Sequence, residues 1–216
     1  MVIAIDGPAG AGKGTITSLV AEKLGLVNID TGAMYRSLTL AVIKNNIDKN
    51  DEDKIVKLCN DIRIEFDEDK RVYLNGDDVT DEIRSIEVSN LVSEISSIVR
   101  VRKIMVEAER TLAKNINVIM EGRDITTVVF PDADFKFYLD ATVEERARRR
   151  LMQNKEKGIE TSYEEIKESI EKRDYNDMHK EVGALKRTDD QIYIDSTDMT
   201  IDEVVDFIVK KVGEVK

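Results

Sequence analysis

The sequence predicts an α/β fold: a five-stranded, parallel, doubly wound sheet that carries a small antiparallel insertion. Five short apolar runs typical of buried strands are separated by segments with helical periodicity, at 1–6, 27–30, 116–120, 135–139 and 191–195. A glycine-rich loop joins the first run to a helix. Between the second and third runs, residues 62–74 alternate apolar and polar side chains, which indicates half-exposed antiparallel strands. Helices between the apolar runs favour parallel pairing of those runs.

The glycine-rich loop is the motif that says most about function. It consists of Gly7, Pro8, Ala9, Gly10, Ala11, Gly12, Lys13, Gly14 and Thr15. A strand before it and a helix after it are the context in which a phosphate loop is credible. Glycines let the backbone aim its N–H groups at one anion, and the helix N-terminus adds a positive dipole end. We therefore expect a nucleotide site for ATP with Mg²⁺, in which Lys13 reaches the outer phosphates and Thr15 offers a hydroxyl to the metal.

The elements after this loop follow from local signals. The first helix ends at Gly25, a good C-cap. The second strand leads into Asp30–Arg36 and a helix that stops near Asn45, and another helix covers about 51–60. In the insertion, Asn75–Gly76 predicts a hairpin turn. Helical periodicity then resumes from Asp81 to about 114, with a break near 97–100.

The C-terminal half continues the alternation of strands and helices. The third strand ends in Glu121–Asp124, and a strongly charged helix follows the fourth strand from 142 to about 157. Gly158 breaks that helix, and a second polar helix runs from about 163 to 177. After the fifth strand, Thr200 and Glu203 form a capping box that opens the last helix.

Composition excludes several classes of protein. A chain of 216 residues with 41% hydrophobic and 36% charged residues is typical of one globular domain. A net charge of −11 argues against duplex nucleic acid as a partner. No apolar run approaches the roughly 18 residues of a membrane span, and the first strand is not preceded by a secretory leader. The single cysteine, Cys59, precludes an internal disulfide, so we expect a cytoplasmic protein. No apolar stripe is left over, so we expect a monomer.

Positive charge is concentrated in one place. Four arginines fall within five positions, at Arg146, Arg148, Arg149 and Arg150. Such a local cluster suits a small polyphosphate better than a polymer.

Polar residues follow three of the predicted strands, at 7–15, 30–36 and 121–124. Ligands in doubly wound sheets bind beyond the carboxyl ends of the strands, so these clusters are expected to converge on one crevice. Arg36 and Arg123 suit a second phosphate group there. Glu121 and Asp124 either organise magnesium-bound water, read a substrate, or serve only as turn and cap residues. Transfer of a phosphoryl group to an anionic acceptor needs no general base, and the one histidine, His179, has no predicted partner.

Taken together, these segments resemble the bacterial-type cytidylate kinases of the P-loop nucleoside monophosphate kinase superfamily. The resemblance covers essentially the whole chain, and its segments are Ile5–Thr15, Asp30–Arg36, Glu82–Arg84, Gly122–Asp124, Thr127–Ala133, and Arg173–Asp174 with Asp177. Many kinases share the glycine loop, whereas its combination with the β insertion is specific. The resemblance implies transfer of the γ-phosphoryl group of ATP to CMP and dCMP, in pyrimidine metabolism.

The resemblance also implies an organisation and a set of site residues. It implies a single P-loop kinase domain over 1–216, with its core at about 1–35 and 111–216, a monophosphate-binding insertion at about 36–110 and a lid at about 148–162. The matching positions are Thr31, Arg36 and Arg123 for the acceptor phosphate, Ser93, Arg102 and Asp124 for cytosine, Arg173 and Asp177 for the ribose, and Arg149 for the donor phosphates. The implied catalytic residues are Lys13, Arg123 and Arg149, and Glu121 is placed near Mg²⁺ through water.

Two positions depart from the family pattern, and other functions stay open. Lys180 stands where the family commonly has an arginine near the substrate phosphate, and Ile125–Thr126 occupies a place often held by glycine. A P-loop kinase for another small acceptor, such as UMP, AMP or shikimate, is the nearest alternative. A non-catalytic, nucleotide-gated switch is another, but Asn154–Lys157 lacks the aspartate of a guanine-recognition motif. A nucleic-acid-dependent ATPase is disfavoured by the acidic charge.

Overall fold

The structure is a computed structural model that describes residues 1–67, 71–156 and 158–214. The chain divides into two compact units. We call Met1–Ile29 with Ala113–Lys216 the core unit and Asp30–Leu112 the insertion unit, and we describe each by itself.

The helices and strands of the described residues alternate as expected. The strands are β1 (Val2–Asp6), β2 (Val27–Asp30), β3 (Ile64–Phe66), β4 (Val72–Leu74), β5 (Asp77–Asp78), β6 (Val118–Gly122), β7 (Phe135–Asp140) and β8 (Ile192–Asp195). The α-helices are α1 (Lys13–Leu24), α2 (Thr31–Lys44), α3 (Glu52–Asp61), α4 (Ile86–Ile95), α5 (Val99–Leu112), α6 (Val143–Glu156), α7 (Tyr163–Met178) and α8 (Ile201–Gly213). A 3₁₀ turn at Glu82–Arg84 and a π-helical turn at Ile125–Val129 complete the set.

The main sheet has five strands in the order β2-β6-β1-β7-β8. The central strand β1 pairs in parallel with both β6 and β7, and β7 pairs in parallel with β8. Helices connect these strands in sequence, so the predicted parallel, doubly wound sheet is confirmed. Asp6, at the end of β1, is in register with Gly122 and Tyr138, which brings the ends of three strands to one edge.

The hydrophobic core of the core unit lies between this sheet and the helices α1 and α8. Ile3, Ile5 and Phe137 are fully buried in the sheet, and Val20 and Ile208 cover them from α1 and α8. Complete burial of such side chains contributes about 1.5–3 kcal/mol each. This packing fixes the strand ends from which the loops of the site emerge.

The third strand of the sheet was predicted two residues too early. The prediction began at Ile116, whereas β6 begins at Val118. Ile116 is 41% exposed, and Asn115 adopts a left-handed conformation with φ 62°, so the chain is still turning at these residues. Apolar character alone did not reveal that turn.

The insertion unit contains the predicted antiparallel meander. β3, β4 and β5 form a three-stranded sheet, and Asn75 (φ 55°) and Gly76 (φ 93°) make the two-residue turn between β4 and β5. Both turn residues have positive φ, as a type I′ hairpin requires. The helices of this unit pack around Leu38, Ile55 and Ile95, which are fully buried.

The helical stretch predicted from Asp81 starts later than expected. The 3₁₀ turn Glu82–Arg84 comes first, and α4 begins only at Ile86 because Ser85 is extended and its hydroxyl accepts from Val88 N at 3.3 Å. Ser85 is therefore an N-cap rather than a helical residue. The predicted break is confirmed, since residues 96–98 separate α4 from α5.

The segment implied as a lid, about 148–162, spans the end of α6 and the loop before α7, and residue 157 lies outside the described residues. The buried Asn154 donates from Nδ2 to Thr161 Oγ at 2.8 Å. A capping box of Ser162 and Glu165 opens α7. In the described part of the chain, no helix combines the length and the apolar character that a membrane crossing needs.

Candidate active site

The phosphate loop connects β1 to α1 in a conformation that depends on its glycines. A Cβ atom at Gly7 would lie 2.0 Å from the carbonyl oxygen of Leu139, so no side chain fits at this position. Gly12 has φ 91° and is the N-cap of α1, with no side-chain cap bond. The first N–H groups of α1 therefore stay directed at the space before the helix, which is the arrangement that binds phosphate.

Lys13, the first residue of α1, lies across this loop. Its side chain is buried, and Nζ donates to the carbonyl oxygens of Gly7 at 2.7 Å and Pro8 at 2.8 Å. Burial, followed by the charges of Arg123 and Arg173, lowers the pKa of Lys13 to about 7, although Glu121 and Asp6 act in the opposite direction. Burial is thus the main reason that the ammonium form of Lys13 is disfavoured, and an anionic ligand at the loop would favour it.

The four clustered arginines do not act alike. Arg146 is buried on α6, where its guanidinium donates to the carbonyl oxygens of Ala141 and Ala9 and pairs with Asp174 at 2.6 Å. Through Ala9, Arg146 supports the backbone of the phosphate loop. Its contacts therefore indicate a structural role, rather than the expected role in binding a polyphosphate. Arg148 pairs with Glu145 on the surface.

Arg149 reaches the same loop from the next turn of α6. Its Nε donates to Glu145 at 2.9 Å, and its terminal nitrogens donate to Ser196 O at 2.6 Å, Ser196 Oγ at 3.2 Å and Ala11 O at 3.5 Å. A Cβ atom on Gly12 would lie 4.0 Å from the same guanidinium. Arg149 therefore lies beside the phosphate loop, and its contact with donor phosphates stays a prediction.

Arg123 follows β6 directly and is held by an acidic residue of α7. Its Nε donates to Asp177 Oδ2 at 2.8 Å, and Lys180 Nζ lies 3.0 Å from Asp177 Oδ1. Burial alone would raise the pKa of Asp177, but the charges of Arg123, Lys180 and Arg173 outweigh it and hold that pKa well below its usual range. Asp177 is thus a buried, ionised bridge between two cations that face the strand ends.

Glu121 and Asp124 flank Arg123. The carboxylate of Glu121 lies close to the end of the phosphate loop, since a Cβ atom on Gly14 would be 2.9 Å from Oε1. Asp124 is buried, and its backbone carbonyl accepts from Val128 N at 2.8 Å in the π-helical turn. The two carboxylates therefore differ in setting, one beside the loop and one at the start of a turn.

Asp6 is a residue that the sequence reasoning missed. It is fully buried, and its carboxylate accepts from Ile125 N at 2.8 Å and from Thr126 N at 2.9 Å. The position that departs from the family pattern is therefore tied to the strand before the phosphate loop. The sequence did contain a signal for Asp6, since it is a charged residue at the end of an otherwise apolar strand.

The insertion unit carries the other predicted residues. Arg36 pairs with Asp30 at 2.9 Å, and its Nε is buried without a hydrogen-bond partner among the described residues. Gly32 lies close to this pair, since a Cβ atom there would be 3.0 Å from the Arg36 guanidinium. Thr31 is buried at the start of α2. A guanidinium with a donor to spare suits a phosphate oxygen.

Ser93 and Arg102 lie on the helices α4 and α5 of the same unit. Arg102 is buried, donates to Ser96 O at 3.2 Å and lies 5.5 Å from the ring centre of Tyr35. Ser93 Oγ is buried with no hydrogen-bond partner within the described parts of the chain. A buried hydroxyl of this kind favours a ligand with a complementary polar edge.

The structure brings together the core-unit members of the predicted site, at the ends of β1 and β6 and on α1, α6 and α7. They are the phosphate loop with Lys13, and Glu121, Arg123, Asp124, Arg149, Arg173, Asp177 and Lys180. Thr31, Arg36, Ser93 and Arg102 belong to the insertion unit. Sequence reasoning also missed Glu145 and Ser196, of which Glu145 had a signal in its four-residue spacing from Arg149.

Comparisons with known proteins show what this chain is similar to. The sequence profile of a family described as cytidylate kinase matches residues 3–214. A cytidylate kinase of Leuconostoc mesenteroides subsp. mesenteroides is 50% identical over 206 residues, which cover 94% of this chain and 92% of that protein. A cytidylate kinase of Caldicellulosiruptor bescii is 48% identical over 211 residues, 96% of this chain and 93% of that protein. A solved gluconokinase from Sinorhizobium meliloti 1021 is similar in fold only, with 12% identity, a TM-score of 0.51 and coverage of 99% and 92% of the two chains.

Proposed function

The chain belongs to the cytidylate kinase family, and we propose on that premise that it transfers the γ-phosphoryl group of ATP to CMP and dCMP. The products are CDP or dCDP and ADP, and we place the reaction in pyrimidine nucleotide metabolism in the cytoplasm. The observation that carries the proposal is the juxtaposition of Lys13 with Arg123 and Arg173 in the core unit. Burial is the main reason that the pKa of Lys13 is lowered, and the charges of Arg123 and Arg173 act in the same direction, which places both guanidinium groups near the lysine.

The donor side of this proposal rests on the phosphate loop. Backbone N–H groups at the start of α1 and the ammonium of Lys13 would bind the β- and γ-phosphates of ATP. Arg149, beside Ala11 and Gly12, would add charge stabilisation to the donor phosphates. We further propose that the segment 148–162 acts as a lid. By excluding water, it would favour phosphoryl transfer to CMP over hydrolysis of ATP.

Mg²⁺ is the cofactor that we propose, bound with ATP. No group of three or more His, Cys, Asp or Glu side chains in the described residues could hold a metal by itself. Mg²⁺ in nucleotide sites is commonly held by phosphates, waters and one or two protein oxygens, so this donor set fits. The exposed Thr15 hydroxyl would bind it directly and Glu121 through water, and the ion would neutralise charge on the phosphates.

The acceptor side rests on cations that are already held in place. Arg123 keeps a terminal nitrogen for a phosphate oxygen while its Nε stays on Asp177. Arg173, Asp177 and Lys180 would contact the ribose and the phosphate of the acceptor, and we also propose Thr31 and Arg36 as contacts of its phosphate. The acceptor phosphate is itself a nucleophile, so the residues supply position and charge rather than a general base.

A panel of nucleoside monophosphates tests the function. With ATP and Mg²⁺, ADP release is expected with CMP and dCMP and much less with UMP, AMP or GMP. Release that is strongest with AMP or UMP would contradict the proposed acceptor, and release that no monophosphate stimulates would contradict the kinase mechanism.

Asp124→Asn is expected to lower activity with CMP and to reduce the preference for CMP over UMP, measured as the ratio of the two kcat/KM values. A carboxylate accepts from the exocyclic amino group of cytosine, whereas it opposes the carbonyl of uracil. An amide satisfies either base, and an unpaired polar group costs about 1–3 kcal/mol, so the kcat/KM ratio of CMP to UMP should fall by about 10-fold. The exposed Asp132→Asn is the matched control. Equal losses on both bases would assign Asp124 to the turn or the phosphates instead.

Binding of ATP is expected to take up a proton near pH 8. Since the pKa of Lys13 is lowered to about 7, its amine is largely neutral at that pH in the free protein. Phosphate oxygens favour the ammonium form. If Lys13 is fully protonated in the complex, binding of Mg·ATP at pH 8 should take up about 0.9 proton per site. Calorimetry in buffers of different ionisation enthalpy measures this number. Lys13→Met should abolish the uptake, and a binding enthalpy independent of the buffer would contradict the coupling.

A further inference from the structure

A buried carboxylate that the proposed chemistry does not use lies at the end of the central strand. Asp6 is fully buried, and the next residue along the chain is Gly7 of the phosphate loop. In the sheet it is in register with Gly122, which precedes Arg123. Asp6 thus lies between the residues proposed to hold the donor and those proposed to hold the acceptor.

Among the described residues, every hydrogen bond of this carboxylate goes to the turn that follows Asp124. Oδ1 accepts from Ile125 N at 2.8 Å, and Oδ2 accepts from Thr126 N at 2.9 Å and from the Thr126 hydroxyl at 2.5 Å. Burial raises the pKa of Asp6, and these three bonds oppose that effect by favouring the charged form. A buried carboxylate is costly without such donors, so the contact holds the turn in one place.

The Thr126 hydroxyl extends the contact to a third segment. Besides donating to Asp6, it accepts from Gln191 Nε2 at 2.5 Å. Gln191 is buried, and its Oε1 accepts from Thr188 N at 2.7 Å, which fixes the orientation of the amide. One hydroxyl therefore connects the strand before the phosphate loop, the turn after Asp124 and the loop before β8.

We infer that Asp6 and Thr126 are positioning residues, which fix Arg123 and Asp124 relative to the phosphate loop; this inference rests on the function proposed above. Ile125 and Thr126 follow Asp124 directly, and Val128 N returns to the Asp124 carbonyl at 2.8 Å, so the turn moves as one piece. Phosphoryl transfer depends on alignment more than on covalent chemistry. A displacement of about 1 Å at such a site can cost about 100-fold in rate.

Thr126→Val tests the inference because valine keeps the shape and removes the hydroxyl. We expect kcat/KM for CMP to fall by about 10-fold or more, while the Kd for ATP alone stays within about twofold. Thr126→Ser restores the hydroxyl and should recover most of the loss. Thr39→Val is the matched control, since Thr39 is fully buried and, within the described part of the chain, its hydroxyl bonds only to the Tyr35 carbonyl of its own helix, at 2.8 Å.

Hydrogen exchange gives a readout that does not depend on turnover. In Thr126→Val, peptides covering 123–129 should exchange faster, and peptides of the phosphate loop should not. If Thr126→Val fails to fold, Gln191→Leu takes its place, because it removes the outer partner of the hydroxyl and leaves Asp6 paired. That variant should lose roughly threefold in kcat/KM for CMP, with the same local exchange.

The outcomes separate this inference from the proposed function. A wild-type protein that does not phosphorylate CMP contradicts the function. An active wild type with an equally active Thr126→Val, despite faster exchange at 123–129, overturns the positioning role. A loss that Thr39→Val shares, or that Thr126→Ser does not recover, also overturns it, since the effect would then follow general stability.

Discussion

Lys13→Met is expected to lower kcat by about 10²- to 10³-fold while the protein stays folded. The ammonium of Lys13 would stabilise charge that spreads over the phosphoryl group during transfer. Loss of one such donor costs about 3–4 kcal/mol in comparable sites. Methionine has a similar length and fills the same buried space without the charge, so the change isolates the electrostatic contribution.

The surroundings of Lys13 explain why a folded variant is expected. Burial, and after it the charges of Arg123 and Arg173, disfavour the protonated form of Lys13, against the opposite effect of Glu121 and Asp6. Removal of the amine leaves the carbonyl oxygens of Gly7 and Pro8 without that donor, but it also removes the cost of a buried charge. We therefore expect a small change in Tm beside a large change in kcat.

Lys23→Met is the matched control on the same helix. Lys23 is half exposed and pairs with Asp206 at 2.7 Å on the surface, so its replacement should leave kcat near the wild-type value. Single-turnover measurements, with enzyme and CMP in excess over a limiting amount of ATP, separate the chemical step from product release. A folded Lys13→Met protein with near-normal single-turnover rate would remove Lys13 from the mechanism.

Local signals predicted most elements of the fold because each of these signals is contained within a few consecutive residues. The glycine loop lies between a strand and a helix, the Asn75–Gly76 turn has positive φ at both residues, and the Thr200–Glu203 capping box opens α8. The core of each unit follows from apolar periodicity. Helix and strand starts were missed where one polar residue decided them, as at Ser85 and Asn115.

The contacts of the candidate site were less predictable because they join distant parts of the sequence. Arg146 and Arg149 lie in one run of arginines, yet Arg146 is buried against Asp174 of α7 whereas Arg149 reaches Ser196. Asp6 and Thr126 are 120 residues apart, so no local pattern could pair them. Motifs identified which residues matter, and tertiary packing determined what each of them contacts.

Arg123→Lys is expected to be poorly tolerated, although it conserves the charge. Arg123 uses Nε for Asp177 and one terminal nitrogen for the Gly122 carbonyl at 3.2 Å, which leaves the other terminal nitrogen for a phosphate. Lysine has one nitrogen and cannot hold Asp177 and a phosphate in this geometry. Lys180 lies on the other oxygen of Asp177, so a lysine at position 123 could take the vacated Oδ2 only by giving up the phosphate.

The expected loss for Arg123→Lys is about 2 kcal/mol, or roughly 30-fold in kcat/KM for CMP, since a hydrogen bond to a charged group is lost. The KM for ATP should change little, because Arg123 is proposed to contact the acceptor. Arg63→Lys is the control, as Arg63 is exposed and forms an ion pair with Glu65 at 2.8 Å. Equal kcat/KM values for CMP in wild type and Arg123→Lys would show that Asp177 holds Arg123 for a structural reason alone, and the acceptor phosphate would then have to rely on other cations such as Lys180 and Arg36.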